Sequence, residues 1–340
     1  MKLLKSVSLL ILLSFYISAN AQQDPYYSHS NWNKQSFNPA VAGEKDDYTC
    51  VTLVGHKQWF GYQDQTFVNR ETGENIEAIS GVAPQTFNVV ATTQLRSINR
   101  TFGGIGISMT DDRLGYTKSS SIRMQGAFFI PMQRSQRLSI GVDMGLQSFG
   151  FNNPSFRARQ LNDPRIPTGS ITDTKPDVGI GVYYLSPNGF GAIRNVKIGG
   201  SVTHLNASTH SLVGKDFSLR YDLVPHYYFH SEVSYRVPNG LTKITPFLLL
   251  KYNSELQADF NVIGERNSRF SYGLGYRQGG NSDALTIFLG IRENNVQVGY
   301  SFDKTISSIR NVSSGTHEIA VRWCIAGICP KGYFKTPREL

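Results

Sequence analysis

The chain has 340 residues, of which 40% are hydrophobic, 12% aromatic and only 17% charged, with 32 glycines. Its formal charge is +9, but the basic residues are dispersed and form no run of five or six, which argues against a nucleic-acid-binding stripe. Three cysteines, with no C-x-x-C pair and no histidine at zinc-finger spacing, argue against a metal site, and no cofactor motif is present.

The first segment, residues 1–21, carries Lys2 and Lys5, an apolar run from Val7 to Ile17 and the small-x-small end Ala19-Asn20-Ala21. This is the layout of a secretory signal peptide, so the mature chain is expected to start near Gln22. Removing the two lysines leaves a charge of +7, from 32 basic and 25 acidic residues. No later stretch approaches the roughly 20 apolar residues of a spanning helix. Residues 22–47 contain Pro25, Pro39 and several Asn and do not alternate. They are expected either in the periplasm or folded into a barrel as a plug.

From Tyr48 onward the dominant signal is period two. Leu138, Ile140, Val142, Met144 and Leu146 alternate with Ser139, Gly141, Asp143, Gly145 and Gln147. Side chains on a strand point to opposite faces with that period, so one face is oily and the other small or polar. Repeated through an exported chain, the pattern predicts an all-β fold. The expected fold is an antiparallel transmembrane β-barrel of the outer membrane, lipid outside and a polar lumen within.

About 14 strands are expected: Tyr48–Trp59, Gln85–Leu95, Gly103–Thr110, Ser120–Pro131, Arg137–Phe149, Pro176–Leu185 and Val196–His204. The series continues with His226–Val237, Lys243–Tyr252, Leu256–Ile263, Arg269–Arg277, Ala284–Arg292, Val296–Phe302 and Thr316–Cys324. Long connections (Phe60–Pro84, Gly150–Lys175, Leu205–Pro225, Asp303–Gly315) alternate with short ones (Arg96–Thr101, Met132–Gln136, Pro238–Thr242, Glu293–Asn295), as external loops alternate with periplasmic turns. Two places fit less well: the short outer turn at Asn253–Glu255 and the longer inner stretch at Ser186–Asn195. The barrel is expected to occupy 48–324 and a short periplasmic tail 325–340, with both termini periplasmic.

In a closed barrel the first and last strands are neighbours. A Cys50–Cys324 disulfide, a Cys324–Cys329 disulfide and no disulfide all remain open. Glycine stretches such as Gly103-Gly104-Ile105-Gly106 lack a following helix or a Lys-Ser/Thr end, so they read as small lumen-facing residues rather than a phosphate loop. Seven scattered histidines and the absence of a G-x-S-x-G mark give no catalytic constellation, and no enzyme activity is expected.

The segments outside the alternating strands carry the most specific resemblance. Gln23–Gly43, through Asp24, Pro25, Ser28, Asn38, Pro39, Ala40, Ala42 and Gly43, resembles the mature opening of PorP/SprF-type proteins of Bacteroidota. Lys57-Gln58-Trp59, Ala83-Pro84-Gln85-Thr86, Asp111–Gly115, Asn162-Asp163-Pro164, Gly299–Trp323 and the closing Pro337-Arg338-Glu339-Leu340 follow in the family's order. Tyr27-Ser28-His29-Ser30 departs from it. The resemblance implies an outer-membrane protein of the type IX secretion system, associated with gliding motility. Such a protein assists secretion and surface anchoring of a large adhesin through the adhesin's C-terminal sorting domain. A periplasmic peptidoglycan-binding component is the second implied partner. Asp24, Pro25, Asn38, Pro39, Gly43, Trp59, Gly315, His317 and Glu318 are the candidate partner-binding residues, against a purely structural role for the same positions. A passive channel for small solutes is the competing reading.

Overall fold

The structure, a computed structural model, describes residues 24–45, 48–62, 67–68, 75–76, 83–97, 101–151, 170–188, 193–213, 218–238, 241–279, 283–311 and 313–326. Cys329 and the expected periplasmic tail beyond residue 326 lie outside these residues, as do the signal segment and the Asn162-Asp163-Pro164 part of the second long connection.

Fourteen antiparallel strands close into a barrel. They are β1 (Tyr48–Lys57), β2 (Gln85–Arg96), β3 (Thr101–Leu114), β4 (Thr117–Pro131), β5 (Arg137–Phe151), β6 (Ile171–Asn188) and β7 (Ile193–Thr203). The second half is β8 (His226–Arg236), β9 (Thr242–Tyr252), β10 (Leu256–Arg266), β11 (Phe270–Gln278), β12 (Ala284–Glu293), β13 (Val296–Thr305) and β14 (Thr316–Ala326). Each strand pairs with its sequence neighbours, and β14 returns to β1. At that seam Cys50 stands opposite Cys324, and the two form a disulfide. Short two-stranded hairpins, Phe67–Val68 with Asn75–Ile76 and Thr209–Val213 with Ser218–Asp222, decorate the first and fourth of the odd-to-even connections.

The connections sort onto two mouths, although the set following odd strands keeps the short turns 115–116 and 253–255. Those following even strands are all short; the longest, residues 132–136 and 237–241, have five residues each. Those following odd strands include 58–84, 152–170, 204–225 and 306–315. The inner stretch at Ser186–Asn195 shrinks to 189–192 because β6 continues to Asn188.

Alternation sets the two faces. Met124 and Met144, opposite each other on β4 and β5, are 72% and 69% exposed, and Val142, Leu146, Leu274, Leu289 and Ile319 stand outside with them. Their neighbours Arg123, Gln125, Asp143, Gln147 and Glu318 point inward and are buried. An oily exterior around a polar interior inverts the arrangement of a soluble protein and matches a lipid-embedded barrel.

Candidate functional site

The lumen is occupied. Residues 24–45 descend through it once, from the long-loop mouth to the short-turn mouth, and their path follows from their contacts. Asp24 meets His204, His226 and Lys251, at the long-loop ends of β7, β8 and β9. Ser28 and His29 meet Asp303 and Glu318 on the opposite wall. Gln35 and Asn38 meet mid-strand positions on β4 and β6, and Glu44 meets Arg137 and Lys197 near the short turns. Asp24 and Ala326, the first and last described residues, therefore lie at opposite mouths. The termini themselves, expected on one side, lie outside the described residues.

Local sequence makes the plug rigid without long helices. Two 3-10 turns, Lys34–Ser36 and Pro39–Val41, are joined by Asn38. Pro39 opens the second turn, where its missing N–H is no loss, and the Asn38 side chain accepts the Ala40 N–H at 3.0 Å. The Asn38 amide donates outward to the Val182 carbonyl at 3.2 Å and contacts His230 Nε2 at 3.1 Å. Gly43, at φ +71°, ends the segment.

Close approach explains much of the glycine on the inner wall. A Cβ on Gly104 would collide with the Ala42 carbonyl oxygen, and one on Gly141 with the Ala40 backbone. Both glycines are in the phase expected to face the lumen, and the plug backbone runs directly over them.

Three polar anchors hold the plug. At the long-loop end, Asp24 Oδ2 accepts from Tyr228 Oη at 2.6 Å, its Oδ1 lies 2.9 Å from His204 Nε2, and Lys251 Nζ donates to its backbone oxygen at 2.6 Å. Burial works to raise the Asp24 carboxyl pKa, but His204, His226 and Lys251 outweigh it and hold the group well below its ordinary value. Burial opposes charge on His204, yet Asp24 on one side and Asp177 on the other push its pKa up to about 9.

The second anchor is Glu318, fully buried on β14. One carboxylate oxygen accepts the His29 N–H at 2.6 Å and contacts His29 Nδ1 at 2.8 Å. The other accepts the Ser28 N–H at 2.8 Å and contacts His56 Nδ1 at 2.7 Å. Ser28 Oγ then donates to Asp303, which also pairs with Arg277 at 3.0 Å, and Arg277 pairs with Asp259 at 2.9 Å.

The third anchor is a closed square near the short turns. Lys34 and Glu44 come from the plug; Lys197 and Glu232 come from the wall. Each lysine meets both glutamates at 2.8–3.0 Å. Burial would raise the Glu44 carboxyl pKa, but Lys197 and Lys34 outweigh it and depress it well below the ordinary carboxylate value. Buried charges are tolerable when paired and hydrogen-bonded in this way.

The candidate residues divide into two groups. Asp24, Asn38, Pro39, Gly43 and Glu318 are internal and bind the plug to the barrel, and Pro25 lines a cavity of about 50 Å³ between the plug and the wall. Trp59, Gly315 and His317 gather instead at the long-loop mouth. The Trp59 N–H donates to Thr316 Oγ1, the Phe60 N–H to the Gly315 carbonyl, and His317 meets Tyr300 Oη at 2.7 Å beside Phe60. Sequence reasoning missed Lys34, Glu44, Asp177, Lys197, His204 and Glu232. The available signal was a charged residue in the lumen phase of a strand, which demands a partner from somewhere.

The short-turn mouth differs in charge. Lys45, Arg96, Arg137, Lys197 and Arg322 line a cleft of about 720 Å³, with Glu44 the sole acid among its lining residues.

A closed, plugged barrel with an apolar exterior defines an outer-membrane β-barrel protein. The family model described as type IX secretion system membrane protein PorP/SprF matches residues 19–323, and the chain belongs to that family. Among solved structures, the Ralstonia pickettii toluene transporter TbuX is 11% identical with a TM-score of 0.47, covering 85% of this chain and 92% of its own. A Pseudomonas aeruginosa FadL homologue is 10% identical (TM-score 0.45; 84% and 92% covered), and Acinetobacter baumannii Omp33 is 9% identical (TM-score 0.42; 83% and 100% covered). No curated protein matches the chain in a sequence search.

Proposed function

We propose that this outer-membrane protein of the type IX secretion system assists secretion of a large adhesin and holds it at the cell surface through the adhesin's C-terminal sorting domain, performing no chemistry itself. The observation that carries this reading is the filled lumen. A plug fixed by three buried polar anchors leaves the two mouths, not the interior, as working surfaces. Long loops at one mouth, with Trp59, Gly315 and His317 at their base, offer the surface for the secreted domain, since such loops can be elaborated on a rigid scaffold. The basic cleft at the other mouth suits an acidic face on the periplasmic peptidoglycan-binding component. In this reading the long-loop mouth faces outward.

The test is co-purification of the detergent-extracted protein from its native envelope, paired with solute flux in liposomes. Recovery of a large secreted protein bearing a sorting domain, with negligible flux, is the expected result. Reproducible recovery of the barrel alone, together with rapid passage of small solutes, would replace anchoring with transport.

A further inference from the structure

We propose that Asp24, His204 and His226 form a binding site for a divalent transition-metal ion of the zinc class, which pins the start of the plug to the barrel wall. Spacing along the sequence gives no hint of it, because the three residues come from the plug, the β7 end and the β8 start.

Three observations converge. First, one donor atom from each residue lies within 4.8 Å of the other two, and among the described residues this is the one group of three such side chains so disposed. Second, the far nitrogen of each imidazole is already engaged. His204 Nδ1 lies 2.9 Å from Asp177 Oδ1, and His226 Nδ1 lies 2.9 Å from the Val224 carbonyl oxygen. Hydrogen bonds at Nδ1 fix the ring orientations and turn both Nε2 atoms toward Asp24, the outer support that metal-bound histidines have. Third, His226 Nε2 presents its lone pair to the plug and the adjoining turn, lying 3.3 Å from both the Asp24 N–H and the Asn253 amide, although the ring is only 1% exposed.

Two imidazoles and one carboxylate select zinc, cobalt, nickel or copper over calcium and magnesium, which favour all-oxygen shells. Around an ion with bonds of about 2 Å, tetrahedral ligands stand roughly 3.3 Å apart. Closing the triad therefore needs side-chain movements of about an ångström. The only proton displaced is the one shared between His204 Nε2 and Asp24. Asp24, though neither histidine, also borders the cavity of about 50 Å³, which gives the ion an approach from the carboxylate side.

The experiment uses the mature chain without a histidine tag, carrying Cys329→Ser so that a thiol outside the seam disulfide is not counted. Co2+ is titrated by visible absorption and Zn2+ by calorimetry. One equivalent with ligand-field bands is expected, with affinity at least tenfold weaker in His226→Gln and in Asp24→Asn. His317→Gln, an imidazole on β14 beside Tyr300, should bind as the parent does. Absence of binding, or affinity unchanged in both His226→Gln and Asp24→Asn, overturns the proposal. If His226→Gln fails to fold, Asp24→Asn decides alone, because its carboxamide keeps the shape of the side chain.

Discussion

Glu318→Ala removes the acceptor for four groups at once: two plug backbone N–H groups, from Ser28 and His29, and the rings of His29 and His56. The carboxylate is fully buried, so water does not replace it in the intact barrel. Removing one partner from a buried charged network costs about 3–5 kcal/mol. Because the penalty falls on contacts between plug and wall, it acts on plug seating as well as on barrel stability. At about 1.4 kcal/mol per tenfold, a loss near 4 kcal/mol raises the population with the upper plug displaced about a thousandfold. Glu318→Gln keeps one acceptor oxygen but turns an amide toward the remaining donors, so about half the loss, roughly thirtyfold, is expected. The assay is liposome flux of a small sugar together with protease cleavage near Ser28, at matched amounts of folded barrel. Glu318→Ala should leak and be cut, Glu318→Gln should do so less, and Glu293→Gln, in an exposed ion pair with Arg269, should do neither. Unchanged flux and cleavage in Glu318→Ala would refute the idea that this carboxylate holds the plug.

Other outcomes follow from the same geometry. Gly141→Val sets a branched side chain against the Pro39–Ala40 backbone, with which a Cβ alone would already collide. Overpacking of about 1–3 kcal/mol is expected, read as increased plug proteolysis with the barrel still folded; an unchanged cleavage rate would show that the plug does not seat there. Glu44 has a depressed folded-state pKa, so its contribution is complete above its unfolded value near 4.5 and is lost as pH falls toward the folded value. Plug cleavage should therefore rise on acidification below about pH 4.5, and Glu44→Gln should weaken seating at neutral pH and flatten that rise. Cys50→Ser with Cys324→Ser opens the seam disulfide, which spans 274 residues of sequence. Chain-entropy scaling gives up to about 5–6 kcal/mol for such a closure, read as a lower temperature for the heat-dependent gel shift of the folded barrel.

The barrel was legible because lipid and lumen impose opposite demands on alternate residues, and each of the fourteen expected strands overlaps an observed one. Errors fall where that contrast fades. β3 runs on through Asp111, Asp112 and Arg113, and β6 begins at Ile171, five residues before Pro176. Both extensions are polar on either face, so hydropathy gives them no signal, although their ladders remain paired. The plug was legible only as a segment without alternation. Its conformation depends on contacts across more than a hundred residues of sequence, such as Asn38 with Val182 and Ser28 with Glu318. The seam disulfide was one of several open pairings, and strand closure places Cys50 opposite Cys324.

The direction of the plug bears on how such a barrel operates. A chain that entered the lumen from the short-turn side and returned would leave both ends facing one compartment. This segment crosses once, so Asp24 is anchored at the long-loop mouth while Glu44, twenty residues on, is locked among the basic groups of the other. The two mouths are thus joined by a short tether with little slack: two 3-10 turns, a capping asparagine and a wall of glycines fix its path. A ligand that tightens or loosens one end alters the strain carried at the other only if the middle holds. That makes Asn38, not the charged anchors, the position through which the mouths would be coupled. Asn38→Ala removes the cap and the contacts to Val182 and His230 but leaves both end anchors in place. Loss of the Glu318 effect on cleavage near Glu44 in that background, with the effect near Ser28 preserved, is the expected sign of a broken tether. Equal effects at both ends with and without Asn38 would mean that the plug responds as a rigid body.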